Sequence, residues 1–308
     1  MSTLCQAFKC LKLIMALIMQ KLSGVHNGYA RCPTSPKILS RIVHKEKQEI
    51  PKVIWIYWNS KNSSNLINSA VCRIRELNPD HTVNLLNDSN LHQYLGSFNF
   101  HNSLSHAHRA DLIRLMLLCK FGGIWVDATT LCYSSFAWVH EIQTADLVGF
   151  YRDCSTVDYD YPVVESWFLA SPKNNRFLQR WLDIFSEINS IGSEPFSKKL
   201  RERDDYKENC QHITHPDYLM INICHQIASR EVDYNYLYKK AEDGAFYFQR
   251  VNNWSPHHSA LYMMINEKPD ILPEIIKLTH GDRELLPIIN KLHLLNPKSI
   301  IGEFLAKS

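Results

Sequence analysis

Residues 110–129 read ADLIRLMLLCKFGGIWVDAT: an apolar run of helical length, two consecutive glycines, and a short β-branched and aromatic run that ends on an acid. Asp111 and Arg114 are three apart and therefore neighbours on one helix face, with His108 one step earlier on the same side. Ile113, Leu115, Met116, Leu117, Leu118 and Phe121 make the second half of that helix apolar nearly all round, so it is expected to be buried. A carboxylate and a guanidinium in that setting must be paired or ligand-bound, because burying either alone is expensive. On spacing alone a structural ion pair is the favoured reading. Gly122 and Gly123 shift that balance, since consecutive glycines permit a tight reversal with unusual backbone angles. The reversal returns Asp127, at the end of the strand Ile124–Val126, to the neighbourhood of the helix. Asp111-x-x-Arg114…Gly122-Gly123-x-x-x-Asp127 thus points to a ligand site.

Outward from this block the pattern alternates between strands and helices. Val53–Trp58 reads as a buried strand, Asn65–Leu77 as a helix stopped at Asn78-Pro79, and Thr82–Leu86 as a second strand. The helix of the central block is expected over Ser103–Phe121. Further strands are expected at 146–151, 167–170, 245–251 and 275–278, and further helices at 175–188, 217–229 and from about Arg283. Residues 191–211 are charged and read as an exposed, helix-poor insertion. The alternation indicates an α/β layered fold with a mostly parallel sheet. Residues 1–49 form an N-terminal helix and connector, and 50–308 the main domain with helical additions. Ligands in such sheets bind beyond the carboxyl ends of the strands. Asn59, Asp127 with Thr129, and His280 follow three predicted strands directly, so three separated segments should converge on one crevice.

Composition narrows the function classes. Lys+Arg 34 against Asp+Glu 31 leaves +3, too little to imply a nucleic-acid partner. Nine cysteines lie scattered without a C-x-x-C pair, neither a disulfide framework nor a zinc pattern, which fits a reducing compartment. The apolar stretch Leu13–Met19 is bracketed by Lys12 and Lys21, far short of the roughly 20 residues that span a bilayer. No small-residue cleavage site follows it closely. Leu4, Phe8, Leu11, Ile14, Met15 and Ile18 share one helical arc opposite Lys9, Lys12 and Gln20. A basic amphipathic helix of this kind either rests on anionic lipid or packs on its own domain.

The central block resembles the capsular-polysaccharide-synthesis glycosyltransferases, which are related to the fungal outer-chain mannosyltransferases with their DXD motif. It is more distantly similar to the glucosyltransferase domains of large bacterial toxins. Those families share a block like sDxxRxxxLxxxGGxYxDxD. The strand IPKVIWIYW (50–58) and the late KLTH (277–280) also resemble elements of the group, so the likeness runs over residues 50 to 280. The resemblance implies a bacterial glycosyltransferase of the GT-A (Rossmann-like) fold. Such an enzyme moves a sugar from a nucleotide-sugar donor, a UDP-sugar by expectation, to an oligosaccharide or lipid-linked glycan in capsule, lipopolysaccharide or other surface polysaccharide synthesis. It implies retention of anomeric configuration and a cytoplasmic location, peripheral to the inner face of the membrane if the first helix binds lipid. By matching position, Trp55 would stack on the donor base, and Asp111, Arg114, Asp127 and Thr129 would contact the nucleotide sugar. Asp127 is the first acid of the DXD, and Glu165 sits where related enzymes contact the donor sugar, so these two are the catalytic candidates. Asp127, Thr129 and His280 would hold a divalent metal, Mn²⁺ or Mg²⁺. Thr129 stands where the second acid belongs, and a neutral hydroxyl binds a hard cation weakly, so the metal is expected to be loosely held or dispensable.

Two other classes compete. A non-catalytic sugar-nucleotide or glycan-binding protein could keep the fold with Thr129 as the lost ligand. Asp127-Ala128-Thr129 after an apolar strand also resembles the aspartyl nucleophile of haloacid-dehalogenase-type phosphatases, but Leu131 stands where a Thr or Val is usual. His106 and His108 point in different directions on a helix. His257-His258 reads as solvent-facing loop, Asp217 as a helix cap, and Trp58 as core or site.

Overall fold

The computed structural model describes Leu11, Ile14, Met15 and residues 35–60, 63–141 and 143–306. The expected N-terminal amphipathic helix lies outside the described residues apart from those first three positions. Among the described residues no helix is long and apolar enough to cross a membrane.

A seven-stranded sheet forms the centre. Its strands are β1 (Ile38–Arg41), β2 (Val53–Tyr57), β3 (Thr82–Leu86), β4 (Gly123–Val126), β6 (Leu147–Tyr151), β7 (Val164–Ser171) and β8 (Tyr236–Lys240), in the order β1-β8-β6-β7-β4-β2-β3. β2, β3, β4, β6 and β8 share one direction, while β7 opposes both its neighbours and β1 opposes β8. The sheet is therefore mixed with a mostly parallel set of strands, as the alternation of elements predicts. A separate antiparallel pair joins β5 (Thr130–Cys132) to β9 (Ile275–Lys277).

The period of two along the strands divides the core. Ile54, Ile56, Ile124 and Val126 face one way and pack with Ile67, Val71 and Ile74 of helix α1 (Asn65–Leu77). Trp55, Tyr57 and Trp125 face the other way, against α2 (His106–Phe121), α3 (Arg176–Ile191) and α5 (Met220–Glu231). Helices α6 (Pro256–Ile265) and α7 (Ile300–Ala306) close a third cluster beneath β5 and β9. α2 begins at Ser105, whose hydroxyl accepts from the His108 backbone N–H at 3.2 Å. It ends at Gly122, φ +66°, followed by Gly123 at φ +98°. A Cβ at Gly122 would lie 2.6 Å from the Lys173 nitrogen, and one at Gly123 2.5 Å from the Val53 carbonyl oxygen. Both glycines answer to backbone angle and space together.

Four sequence expectations are corrected. Residues 191–211 are not helix-poor: α4 (Ser193–Arg201) and the short helix Tyr206–Cys210 occupy them. Phe196 and Leu200, four apart, form a buried stripe, with Phe196 edge-on to Phe185 of α3, and the charges take the outer face. The strand expected at 245–251 is a helix, Tyr247–Val251, and the sheet takes Tyr236–Lys240 instead. Tyr236 and Tyr238, two apart, stack on one face there with ring centroids 4.5 Å apart. His257 and His258 lie in α6, which starts at Pro256, rather than in a loop. Asp217 caps no helix; it accepts from Ser197 and pairs with Arg201. In addition the expected connector contributes β1 to the sheet edge.

Candidate functional site

A crevice of about 1010 Å³ opens beyond the carboxyl ends of β2 and β4. Asn59, Asp127, Thr129 and His280 all line it, so the three segments expected to converge do so. Asp111, Arg114 and Glu165 line it as well.

Arg114 is the hinge of the polar cluster. Its Nη1 donates to Asp111 and, at 2.6 Å, to Ser166 Oγ, and its Nη2 donates to Asp127 Oδ1 at 3.0 Å. The guanidinium lies 5.1 Å from the Trp125 ring centroid. Trp125 Nε1 donates to the same Asp127 oxygen at 3.0 Å. The other oxygen, Oδ2, meets Lys277 Nζ at 3.0 Å, and Lys277 also donates to Thr129 Oγ1 at 2.6 Å. Asp127 is itself fixed by its backbone N–H, which continues the β4–β7 ladder to the Trp167 carbonyl at 2.9 Å. Lys277 is fixed by the β5–β9 pair, where it stands opposite Thr130, and by the Leu278 N–H donating to the Thr129 carbonyl at 3.0 Å. The Gly-Gly reversal and the two small ladders thus deliver an acid and two cations to one point.

The two acids differ in charge state. Burial raises the Asp111 pKa to about 6, with Arg114 opposing the shift and Asp127 adding to it. Burial also works against ionisation of Asp127, but Lys277, Arg114 and the hydrogen bonds from Lys277 and Trp125 outweigh it and hold its pKa below the usual range. Asp127 is the permanent anion of the cluster. Glu165 lies elsewhere on the wall, where burial raises its pKa against the pull of Arg152, 3.2 Å away. Arg152 in turn lies 3.9 Å from the Trp254 ring centroid.

Trp55 does not reach the crevice. Its indole N–H donates to the Gly122 carbonyl at 2.9 Å and its ring packs between Tyr94 and Phe121. It is 3% exposed, two residues inside the strand, while Tyr57 on the same face and Trp58 beside it stand at the strand end and line the crevice. Of the residues expected to hold a metal, His280 lines the crevice, but the oxygens of Asp127 and Thr129 do not fit one. Both Asp127 oxygens already face cations, and Thr129 Oγ1 accepts from Lys277. Among the described residues no three His, Cys, Asp or Glu side chains gather as a ligand set. Lys277 is the residue sequence reasoning missed. Its signal was a lone lysine closing the apolar strand Ile275–Lys277, a place where a charge needs a partner.

The sequence is 29% identical over 161 residues to the "O-glycosyltransferase braB" of Annulohypoxylon truncatum, covering 44% of this chain and 37% of that protein. It is 27% identical over 172 residues to the "Probable glycosyltransferase FCK3" of Fusarium pseudograminearum (strain CS3096), covering 50% of this chain and 43% of that protein. The chain therefore spans about two fifths of the length of these curated relatives. Among solved structures, the PaToxG glycosyltransferase aligns at 16% identity and TM-score 0.33, covering 74% of this chain and 99% of that one. The apo glycosyltransferase GlyE of Streptococcus pneumoniae TIGR4 aligns at 13% identity and TM-score 0.41, covering 84% and 64%. The profile of the family described as "Capsular polysaccharide synthesis protein" matches residues 36–189, half of the 308 residues. That span holds β2, the Gly-Gly reversal and the Asp111–Arg114–Asp127 cluster, and the chain belongs to this capsular polysaccharide synthesis family.

Proposed function

We propose that the chain is a glycosyltransferase whose crevice binds a nucleotide sugar, a UDP-sugar by expectation, and passes the sugar to a hydroxyl of an oligosaccharide or lipid-linked glycan in surface polysaccharide synthesis. One observation carries the reading. Arg114 and Lys277 flank Asp127 on the crevice wall beyond the strand ends, two fixed cations where a diphosphate would lie. Family membership supports it, as do the names of the two fungal relatives. In this reading Asp127 holds the two cations in place, and Thr129 orients Lys277. Tyr57 and Trp58 take over the base-stacking role from Trp55. Glu165, its pKa raised by burial, contacts the donor sugar from the β7 wall.

The reading also keeps a cytoplasmic location, peripheral to the membrane if the first helix binds lipid, and retention of configuration as expectations. Incubation with labelled UDP-, GDP- and CMP-sugars tests the donor class. Release of the sugar from one of these donors, or protection of the protein from thermal unfolding by it, is the expected result. Indifference to all three classes contradicts the reading.

A further inference from the structure

We propose that the Lys277 ammonium takes the place of a divalent cation at this site, so that donor binding and transfer proceed with the metal absent. The inference rests on the nucleotide-sugar reading above. It starts from the position of the ammonium, 3.0 Å from Asp127 Oδ2 and 2.6 Å from Thr129 Oγ1, between the two oxygens that would otherwise be metal ligands.

The position is built into the fold. Lys277 is held opposite Thr130 in the β5–β9 ladder, directly after the turn that carries Asp127 and Thr129, and its side chain is only 12% exposed. A dication needs oxygen ligands with free lone pairs and prefers charged ones. Asp127 Oδ1 is committed to Arg114 and Trp125, while Oδ2 and Thr129 Oγ1 face the ammonium. Bringing a metal to those oxygens means displacing Lys277 or placing two positive charges side by side. The threonine in the second acid's position removes the charge a metal would want and leaves a hydroxyl that suits an N–H donor. Asp127 and Thr129 occupy two of the three N–H groups of the ammonium, and the third has the Leu278 carbonyl at 3.4 Å. That third N–H has the longest of the three contacts and is the one that would turn to a phosphate oxygen.

In the transfer the bond from the anomeric carbon to the diphosphate oxygen breaks and its electron pair stays on that oxygen. The acceptor hydroxyl oxygen bonds to the anomeric carbon, and its proton passes to the departing diphosphate. Lys277 and Arg114 offset the negative charge that gathers there.

Titration calorimetry with UDP in excess chelator and in Mn²⁺ tests the inference, alongside paramagnetic resonance of Mn²⁺ mixed with the nucleotide-free protein. The expected wild-type UDP affinity differs by less than about threefold between the two buffers, since no charged ligand set recruits the metal. Lys277→Met should weaken UDP binding by about tenfold or more through loss of a charge-assisted bond, and Lys277→Arg should restore most of it. Wild-type binding that demands Mn²⁺, tight Mn²⁺ binding without nucleotide, or a folded Lys277→Met that binds UDP like wild type would overturn the inference alone. If Lys277→Met does not fold, the wild-type chelator comparison and Lys277→Arg decide it. Failure of the wild type to bind UDP, GDP and CMP alike in either buffer overturns the nucleotide-sugar reading and this inference with it.

Discussion

At the scale of single residues, the cluster turns on the unequal acids Asp111 and Asp127. Lys277 and Arg114 hold the Asp127 pKa below the usual range, whereas burial pushes that of Asp111 up to about 6. Above that pH both acids offset the cations; below it Asp111 is neutral and the positive charge of Arg114 and Lys277 is less compensated. A nucleotide sugar, whose diphosphate keeps its charge over this range, should therefore bind more tightly at pH 5 than at pH 7.5. Asp111→Asn should bind with a weaker pH dependence, since Glu165 and His280 also line the crevice, which calorimetry across the range would show; equal pH dependence in both proteins would contradict the assignment. Trp55 makes a different prediction from its sequence neighbours. Trp55→Ala empties a site packed by Tyr94 and Phe121 and should cost about 3–5 kcal/mol of stability. Trp58→Ala should leave the fold intact and weaken donor binding by about 1–3 kcal/mol, the worth of a base stacked on an aromatic ring. Chemical denaturation and donor titration on both variants separate the roles, and a stable Trp55→Ala with weakened donor binding would reverse them.

At the scale of elements, the reversal between α2 and β4 sets the site. Gly123→Ala puts a methyl 2.5 Å from the Val53 carbonyl, in a residue held at φ +98°, so β4 must move away from β2. A loss of about 1–3 kcal/mol is expected from the backbone angle alone, read as a lower denaturation midpoint, with donor affinity falling in the protein that still folds. An unchanged midpoint would mean that the reversal is not under this constraint. This element was also the most legible in the sequence. An apolar helix, two glycines and a β-branched strand ending on an acid each obey a local rule, and the rules agree. The same holds for β2, α1 and β3, whose boundaries follow from apolar runs stopped by polar punctuation. Legibility failed where local composition is ambiguous. The aromatic stretches around Tyr236 and Tyr247 both bury their rings, and only tertiary contact makes one a strand and the other a helix. The charges of 191–211 masked a narrow apolar stripe at Phe196 and Leu200. Lys277 was invisible as a partner of Asp127 because the β5–β9 pairing joins residues far apart in sequence.

At the scale of the whole molecule, one helix–turn–strand block meets a strand far along the chain in one crevice because the sheet and the small β5–β9 ladder hold their ends together. α2 brings Asp111 and Arg114, β4 brings Asp127, and β9 brings Lys277. The outer layers close the fold around that meeting point, and the family match ends before β9 begins. On the proposed function, Lys277 lies outside the matched span, while Asp111, Arg114 and Asp127 lie within it. Transfer measured side by side for wild type and Asp127→Asn, with the donor sugar that binds best, tests the central claim most directly. The change keeps the shape of the side chain and removes the charge that positions Arg114 and Lys277. Wild type should transfer sugar, and the folded Asp127→Asn should lose roughly 3 kcal/mol of barrier lowering, a hundredfold or more in turnover. A folded Asp127→Asn that turns over within a few-fold of wild type would contradict the account.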